Sequence, residues 1–193
     1  MEPRTLNQFF EERARFTKPV TEDVISRFHE ISISKNEFLL TEGQVCNQYL
    51  FLESGFMRAY TYDVDGNDIT TGFYAAGQIV FEVASFFNRM PSAENIQAIT
   101  NCHGRYISFN ELNDLFHTLP EFREFGRSVL VKGFAALKVR MLSMINQTAE
   151  QRYAALLQNS PEVFKHTPLK HIASYLGITD TSLSRIRKQQ VNK

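Results

Sequence analysis

The sequence predicts an α+β protein: an N-terminal antiparallel β-roll of the jelly-roll type, then a long helix, then a C-terminal helix-turn-helix. Three observations carry this. Between Glu37 and Phe109 lie short runs rich in aromatic and β-branched residues, punctuated by glycine-bearing turns. Strands at such spacing with no helices between them close into antiparallel barrels or sandwiches. From Glu111 to about Gln147 the pattern turns helical, with no proline after Pro120. Finally, "PLKHIASYLGITDTSLSRIRKQQ", Pro168 to Gln190, reads as two short helices about a glycine.

In chain order, residues 1–30 suit short helices, because Phe9, Phe10, Phe16, Val24, Ile25 and Phe28 recur among charges at roughly helical spacing. The strand candidates follow as "EFLL", "QYLFLES", "GFMRAYTYDV", "DITTGFY", "IQAITN" and "HGRYISF". "DVDGND" places acids around a glycine, yet a calcium loop needs its glycine sixth and a glutamate twelfth. Counted from Asp63 the glycine is fourth and the twelfth residue is Tyr74, so a hairpin turn is expected. In the long helix, Leu130, Phe134, Leu137, Met141 and Met144 step by 4, 3, 4 and 3, a short heptad seam. That seam suits either packing within the domain or a coiled-coil interface between two copies. Gly126 and Gly133 each cost a helix about 1 kcal/mol, which calls for a closely packed partner. Three parts are expected: residues 1–117, 118–147 and 148–193.

Composition narrows the function classes. The chain has 193 residues, 43% hydrophobic and 22% charged, enough apolar material for a core. Its two cysteines, Cys46 and Cys102, cannot supply a four-thiolate cluster or a disulfide framework. His29, His103 and His117 show no ligand spacing, and no metal site or cofactor is expected. The charged N-terminus lacks the apolar stretch of a signal peptide, and no apolar run is long enough to cross a bilayer, so a cytoplasmic location is expected. No hydrolase elbow, zincin helix or phosphate-binding glycine loop occurs, which predicts a non-enzyme.

The zero net charge hides an asymmetry. Residues 1–147 carry 14 Lys/Arg against 18 Asp/Glu, whereas residues 148–193 carry 7 against 3. A basic tail on an acidic body points to a nucleic-acid partner. The helix-turn-helix steric pattern is complete there. Ile172, Ala173, Leu176, Ile178, Leu183 and Ile186 fill the inward positions, Gly177 the left-handed turn, and Thr179 the cap of the second helix. Asp180, Thr181, Ser184 and Arg185 then face outward as base-reading candidates. Ser182, Arg187, Lys188 and Lys170 are candidate phosphate contacts.

A β-roll, long helix and terminal helix-turn-helix in this order resemble the bacterial cyclic-AMP receptor/fumarate-nitrate regulator (Crp/Fnr) family. "LLTEGQVCNQYLFLESGFMRAYTYDVDGND" is similar to the opening of the family's cyclic-nucleotide-binding fold, and "HIASYLGITDTSLSRIRK" to its DNA-reading segment. The resemblance implies a transcription regulator that binds a near-palindromic double-stranded operator as a homodimer. Leu130, Phe134, Leu137, Met141 and Met144 would form the dimer interface, and Glu82, Arg89 and Ser92 an effector pocket.

Departures from the family pattern shape the expectation. Glu82 matches the family's phosphate-site glutamate, but Phe81 replaces the preceding glycine. "PSAEN", Pro91 to Asn95, stands where an Arg-Ser pair would hold the phosphate. Cyclic AMP is therefore not the expected ligand, and the effector is left open between another, unidentified small molecule, a partner protein and none. Asp180, Thr181 and Ser182 replace the frequent Arg-Glu-Thr of the recognition helix, so the operator should differ. Any wing is expected from residues about 158–168 or is missing, since few residues follow Lys188. The alternatives are a cyclic-nucleotide-responsive activator of the same family and a cupin-like metal enzyme.

Overall fold

The computed structural model describes residues 5–14 and 16–191. The first four residues of the predicted N-terminal helical segment, and Arg15 within it, lie outside them. Helices α1 (Leu6–Arg13) and α2 (Lys18–Ser26) open the chain. Eight strands follow: β1 (His29–Ile33), β2 (Phe38–Leu40), β3 (Gln48–Ser54), β4 (Phe56–Tyr62), β5 (Asp68–Ala75), β6 (Gln78–Val80), β7 (Asn95–Ala98) and β8 (Cys102–Ser108). A short helix, α3 (Val83–Asn88), interrupts them after β6. Six helical segments complete the chain: α4 (Phe109–Thr118), α5 (Pro120–Asn146), α6 (Ala149–Asn159), α7 (Pro161–His166), α8 (Leu169–Leu176) and α9 (Asp180–Val191).

The strands form two four-stranded sheets, ordered β1-β8-β3-β6 and β2-β7-β4-β5, with every pairing antiparallel. The core around them buries Leu50, Phe51, Leu52, Met57, Ala59, Val80, Ile96, Ala98 and Ile107, with β3 buried on both of its faces. Phe9 and Phe10 of α1 and Phe122 and Phe125 of α5 extend this core as an aromatic cluster, edge-to-face where Phe125 meets Phe9 and Phe10 and tilted where it meets Phe122. Such ring pairs add about 0.5–1.5 kcal/mol each beyond the area they bury. The β4–β5 connection is the hairpin turn expected of "DVDGND": the Asp63 carboxylate accepts from the amides of Asp65 (2.9 Å) and Asn67 (2.8 Å). Two strands and two helices escape the sequence reading, one of the helices being α7, which occupies the stretch offered for a wing. β1 begins at His29, where helix was expected, and β6 and α3 are too short to show a period.

The helices start where local chemistry starts them. Thr5-x-x-Gln8, Ser108-x-x-Glu111 and Thr148-x-x-Gln151 each form a reciprocal capping box. The helical stretch predicted from Glu111 is two elements, because Leu119 before Pro120 is extended and the proline then opens α5. Gly126 meets the close partner expected of it: a Cβ there would lie 2.2 Å from the Phe116 ring. Gly133 differs, with nothing among the described residues within 4 Å of the same position. Helices α6 to α9 gather around Tyr153, Val163, Ile172, Ala173, Leu176, Leu183 and Ile186. Phe56 of β4 joins that second cluster, so the C-terminal helices rest on the β-roll.

Glu111 gives this architecture a measurable acid sensitivity. Bonds from Ser108, together with His29 at 2.8 Å, hold its carboxyl down at about 2. Its stabilising contribution is present above 4.5, the ordinary carboxyl value, and is lost as pH falls toward 2. Glu111→Gln keeps a capping-box partner but no charge. Urea midpoints for this variant are expected to fall less steeply than wild type between those pH values.

Candidate nucleic-acid interface

The turn between α8 and α9 is built as the sequence requires. Gly177 adopts φ 66°, the left-handed conformation, at the end of α8. The amides of Gly177 and Ile178 reach back to the carbonyls of Ser174 (3.0 Å) and Ala173 (3.1 Å). A Cβ at Gly177 would also lie 2.5 Å from Met144 Cε. Thr179 Oγ1 accepts from the Ser182 amide at 3.2 Å and caps α9. Ile172, Ala173, Leu176, Leu183 and Ile186 are buried, and Ile178 is half-buried.

The opposite face is open. Asp180, Thr181, Ser184 and Arg185 are all exposed on the first two turns of α9, with Arg187 and Lys188 exposed beyond them and Lys170 exposed at the start of α8. Ser182 is placed differently: it is half-buried, and its hydroxyl lies 3.0 Å from that of Thr179, within the cap. Among the described residues, Lys170, Arg185, Arg187 and Lys188 form no ion pair. Lys165 is paired to Glu162 at 2.7 Å. Arg152 donates Nε and Nη2 to the Leu176 carbonyl (3.1 and 2.9 Å) and Nη1 to Gln147 O (2.7 Å). Arg140 of α5 donates to Tyr175 O at 3.2 Å and covers the Tyr175 ring at 3.7 Å. These two arginines satisfy carbonyls that the end of α8 leaves free. Neither was visible as a partner of α8 in the sequence, because the contacts span 24 and 35 residues.

The seam residues lie on the surface of α5. Phe134 is 72% and Leu137 63% exposed, and Leu130, Met141 and Met144 are also exposed, together with Val131, Val139 and Ile145. In the β-roll, Glu82 caps α3, accepting from the amides of Ala84 (3.0 Å) and Ser85 (2.5 Å). Arg89 donates to the carbonyl of Cys46 (2.8 Å) and to the Asn47 side chain, and sits over the Phe109 ring at 4.3 Å. Ser92 is buried and donates to Glu94 O at 2.8 Å. Burial, with the charge of Glu82 adding to it, pushes the Glu94 carboxyl above its usual range. All three candidate pocket residues are thus engaged by the protein itself, next to a pair of carboxylates. Among the described residues no group of three or more His, Cys, Asp or Glu could hold a metal ion, and no helix is long and apolar enough to cross a membrane.

Known proteins supply the context. Residues 30–118 match the cyclic nucleotide-binding domain. Electron transport regulator A of Shewanella oneidensis is 25% identical over 177 residues, covering 86% of this chain and 69% of that protein. The fumarate and nitrate reduction regulatory protein of Escherichia coli K12 is 26% identical over 166 residues, covering 80% of this chain. This chain spans only 65% of that relative's length. Among solved structures, FixK2 from Bradyrhizobium japonicum superposes with a TM-score of 0.74 at 18% identity, covering 86% of this chain and 85% of its own. The c-di-GMP-responsive global regulator CLP of Xanthomonas campestris gives 0.71 at 17%, covering 91% and 93%. A cyclic-nucleotide-binding type of roll carrying a long helix and a terminal helix pair defines a class of regulator. Over most of its length the chain is similar to the Crp/Fnr family of transcription regulators, whose members bind DNA as dimers.

Gly177→Val tests the turn. A β-branched residue at positive φ costs on the order of 1–3 kcal/mol before the Met144 clash is counted. Chemical denaturation of this variant is expected to show at least that loss, and an unchanged midpoint would contradict the turn geometry.

Proposed function

We infer that the chain is a homodimeric, sequence-specific DNA-binding transcription regulator of the cytoplasm, not an enzyme, and that its β-roll does not take cyclic AMP. The observation that carries this is the free cationic face of the helix pair. Among the described residues, four basic side chains without ion pairs surround an exposed reading edge, while Arg140 and Arg152 near it are tied to α8 and Lys165 is paired to Glu162. Arg185 is placed to donate two bonds to a guanine edge, and Asp180 to accept from cytosine. Lys170, Arg187 and Lys188 are placed for phosphates, with Ser182 serving through the cap it completes. The apolar stripe of α5, bare within one chain, supplies the interface to a second copy. The working division is a roll over residues 1–117, a dimerising helix over 118–147 and a DNA-binding unit over 148–193.

Against cyclic AMP stands the chemistry of the roll. A cyclic phosphate needs a cation, yet Arg89 is turned to backbone carbonyls and Glu82 and Glu94 contribute negative charge. An effector of another kind is compatible with this. The cyclic-nucleotide-responsive reading is the alternative, favoured by the domain match over residues 30–118. The cupin-like enzyme finds no support in the relatives, which are regulators.

Selection from randomised duplexes is expected to enrich a near-palindrome. Affinity for it should fall steeply with salt, with a slope near −0.9 per phosphate neutralised. Failure to enrich any motif would remove the DNA-reading assignment. Arg185→Ala is expected to relax selectivity at one base pair per half-site, at a loss of about 1–3 kcal/mol. Leu137→Glu should yield a monomer by sedimentation, and calorimetry should detect no micromolar binding of cyclic AMP.

A further inference from the structure

Helix α8 is gripped from three directions. Arg140 and Arg152 hold its C-terminal carbonyls from α5 and α6, and the third grip comes from the β-roll. Strand β5 is the outermost strand of its sheet, so amides along its free side have no strand to pair with. The Thr70 amide instead donates to Ser174 Oγ of α8 at 3.1 Å, and the two hydroxyls lie 2.9 Å apart. Phe73 of the same strand meets the Tyr175 ring at 5.0 Å.

Beneath this contact lies Arg58 of β4, only 1% exposed. Its guanidinium stands 4.1 Å from the Tyr60 ring centre. One arm donates to the Asp68 carboxylate on β5, and the other to Nδ1 of His171 on α8. Burial, with the Arg58 charge next, lowers His171 from its ordinary 6.5 to about 4, so the ring is neutral near pH 7 and accepts the bond. A buried cation needs partners for its donors; both ends of the Arg58 fork have them, while Nε has none among the described residues. A planar fork can serve a carboxylate and an imidazole in two directions at once, which a compact ammonium does not do.

We propose that Arg58 is a positioning residue for DNA binding. By joining Asp68 of the roll to His171 of the helix pair, it clamps α8 onto the edge of β5 and fixes the direction in which α9 is presented. This rests on the DNA-reading assignment above. The clamped arrangement leaves Asp180, Thr181, Ser184 and Arg185 exposed, so it presents the reading face rather than covering it. Two reading faces that are individually intact but free to turn gain less from being joined, because the second contact depends on effective concentration.

The test compares wild type with Arg58→Lys, which keeps a charge beside Asp68 but not the fork, and with Ser174→Ala, which removes the second anchor from the helix side. Affinity is read on the selected two-half-site duplex and on a single half-site, alongside amide hydrogen exchange of Thr70 and α8. Both variants are expected to lose about tenfold on the full site while staying within about twofold on the half-site. Exchange should speed up at Thr70 and along α8, with the β3 and β8 amides unchanged. Equal losses on both duplexes, tighter binding by the variants, or unchanged affinity and exchange would each overturn the proposal. If wild type bound neither duplex, the DNA-reading assignment would fall, and the exchange measurement alone would still decide whether Arg58 clamps α8.

Discussion

The free side of strand β5 is the constraint around which the C-terminal half is arranged. Sheets end somewhere, and an uncovered edge leaves backbone donors and acceptors without partners while inviting strands of other chains. Here a helix covers it. Because α8 lies along β5, the second hydrophobic cluster forms partly from the roll, with Phe56 in one cluster with Tyr153, Val163 and Ile172. The helix pair is therefore packed on the roll as well as attached through α5. The same strand faces both ways. Thr70 and Phe73 look toward the helices, while Tyr74 is packed against the roll's own core, where burial raises its phenol above the usual range. A single strand thus separates the interior of the roll from the helix pair.

Much of this was legible in the residues. β3 runs from Gln48 to Ser54, the limits of "QYLFLES", because four consecutive buried residues bounded by Glu53-Ser54-Gly55 leave little choice of state. The α8–α9 pair and its turn were legible because their requirements are local and steric: one glycine, one small residue and five aliphatic positions at fixed offsets. What stayed hidden was whatever depends on distant pairing. Arg58 reads as one more charged residue in an alternating strand until His171, 113 residues away, is brought to it. Arg152 counts toward a basic tail in the sequence, yet it closes a helix end in the fold. Glu82 was recognised by position, but its work as the cap of α3 could not be read, since a six-residue helix has too few turns to show a period.

The charge asymmetry takes on a more specific form in three dimensions. Counting basic residues overstates the cation content available near α9, because some of those side chains bond helix carbonyls or neighbouring acids. What is left is a small set, concentrated on α9 and the first turn of α8, above an acidic body. Attraction is thereby confined to one end of the molecule, and repulsion elsewhere disfavours other approaches to a polyanion.

The length of α5 gives this concentration of function a mechanical side. Twenty-seven residues make a rod of about 40 Å, rooted in the aromatic cluster at Phe122 and Phe125 and reaching the turn of the helix pair at Met144. Leverage follows from those proportions. A tilt of about five degrees at the rooted end displaces the far end by roughly 3.5 Å, close to the rise of one base pair along a duplex. Sub-ångström repacking around two phenylalanines would then be magnified into a whole step of register on the proposed operator.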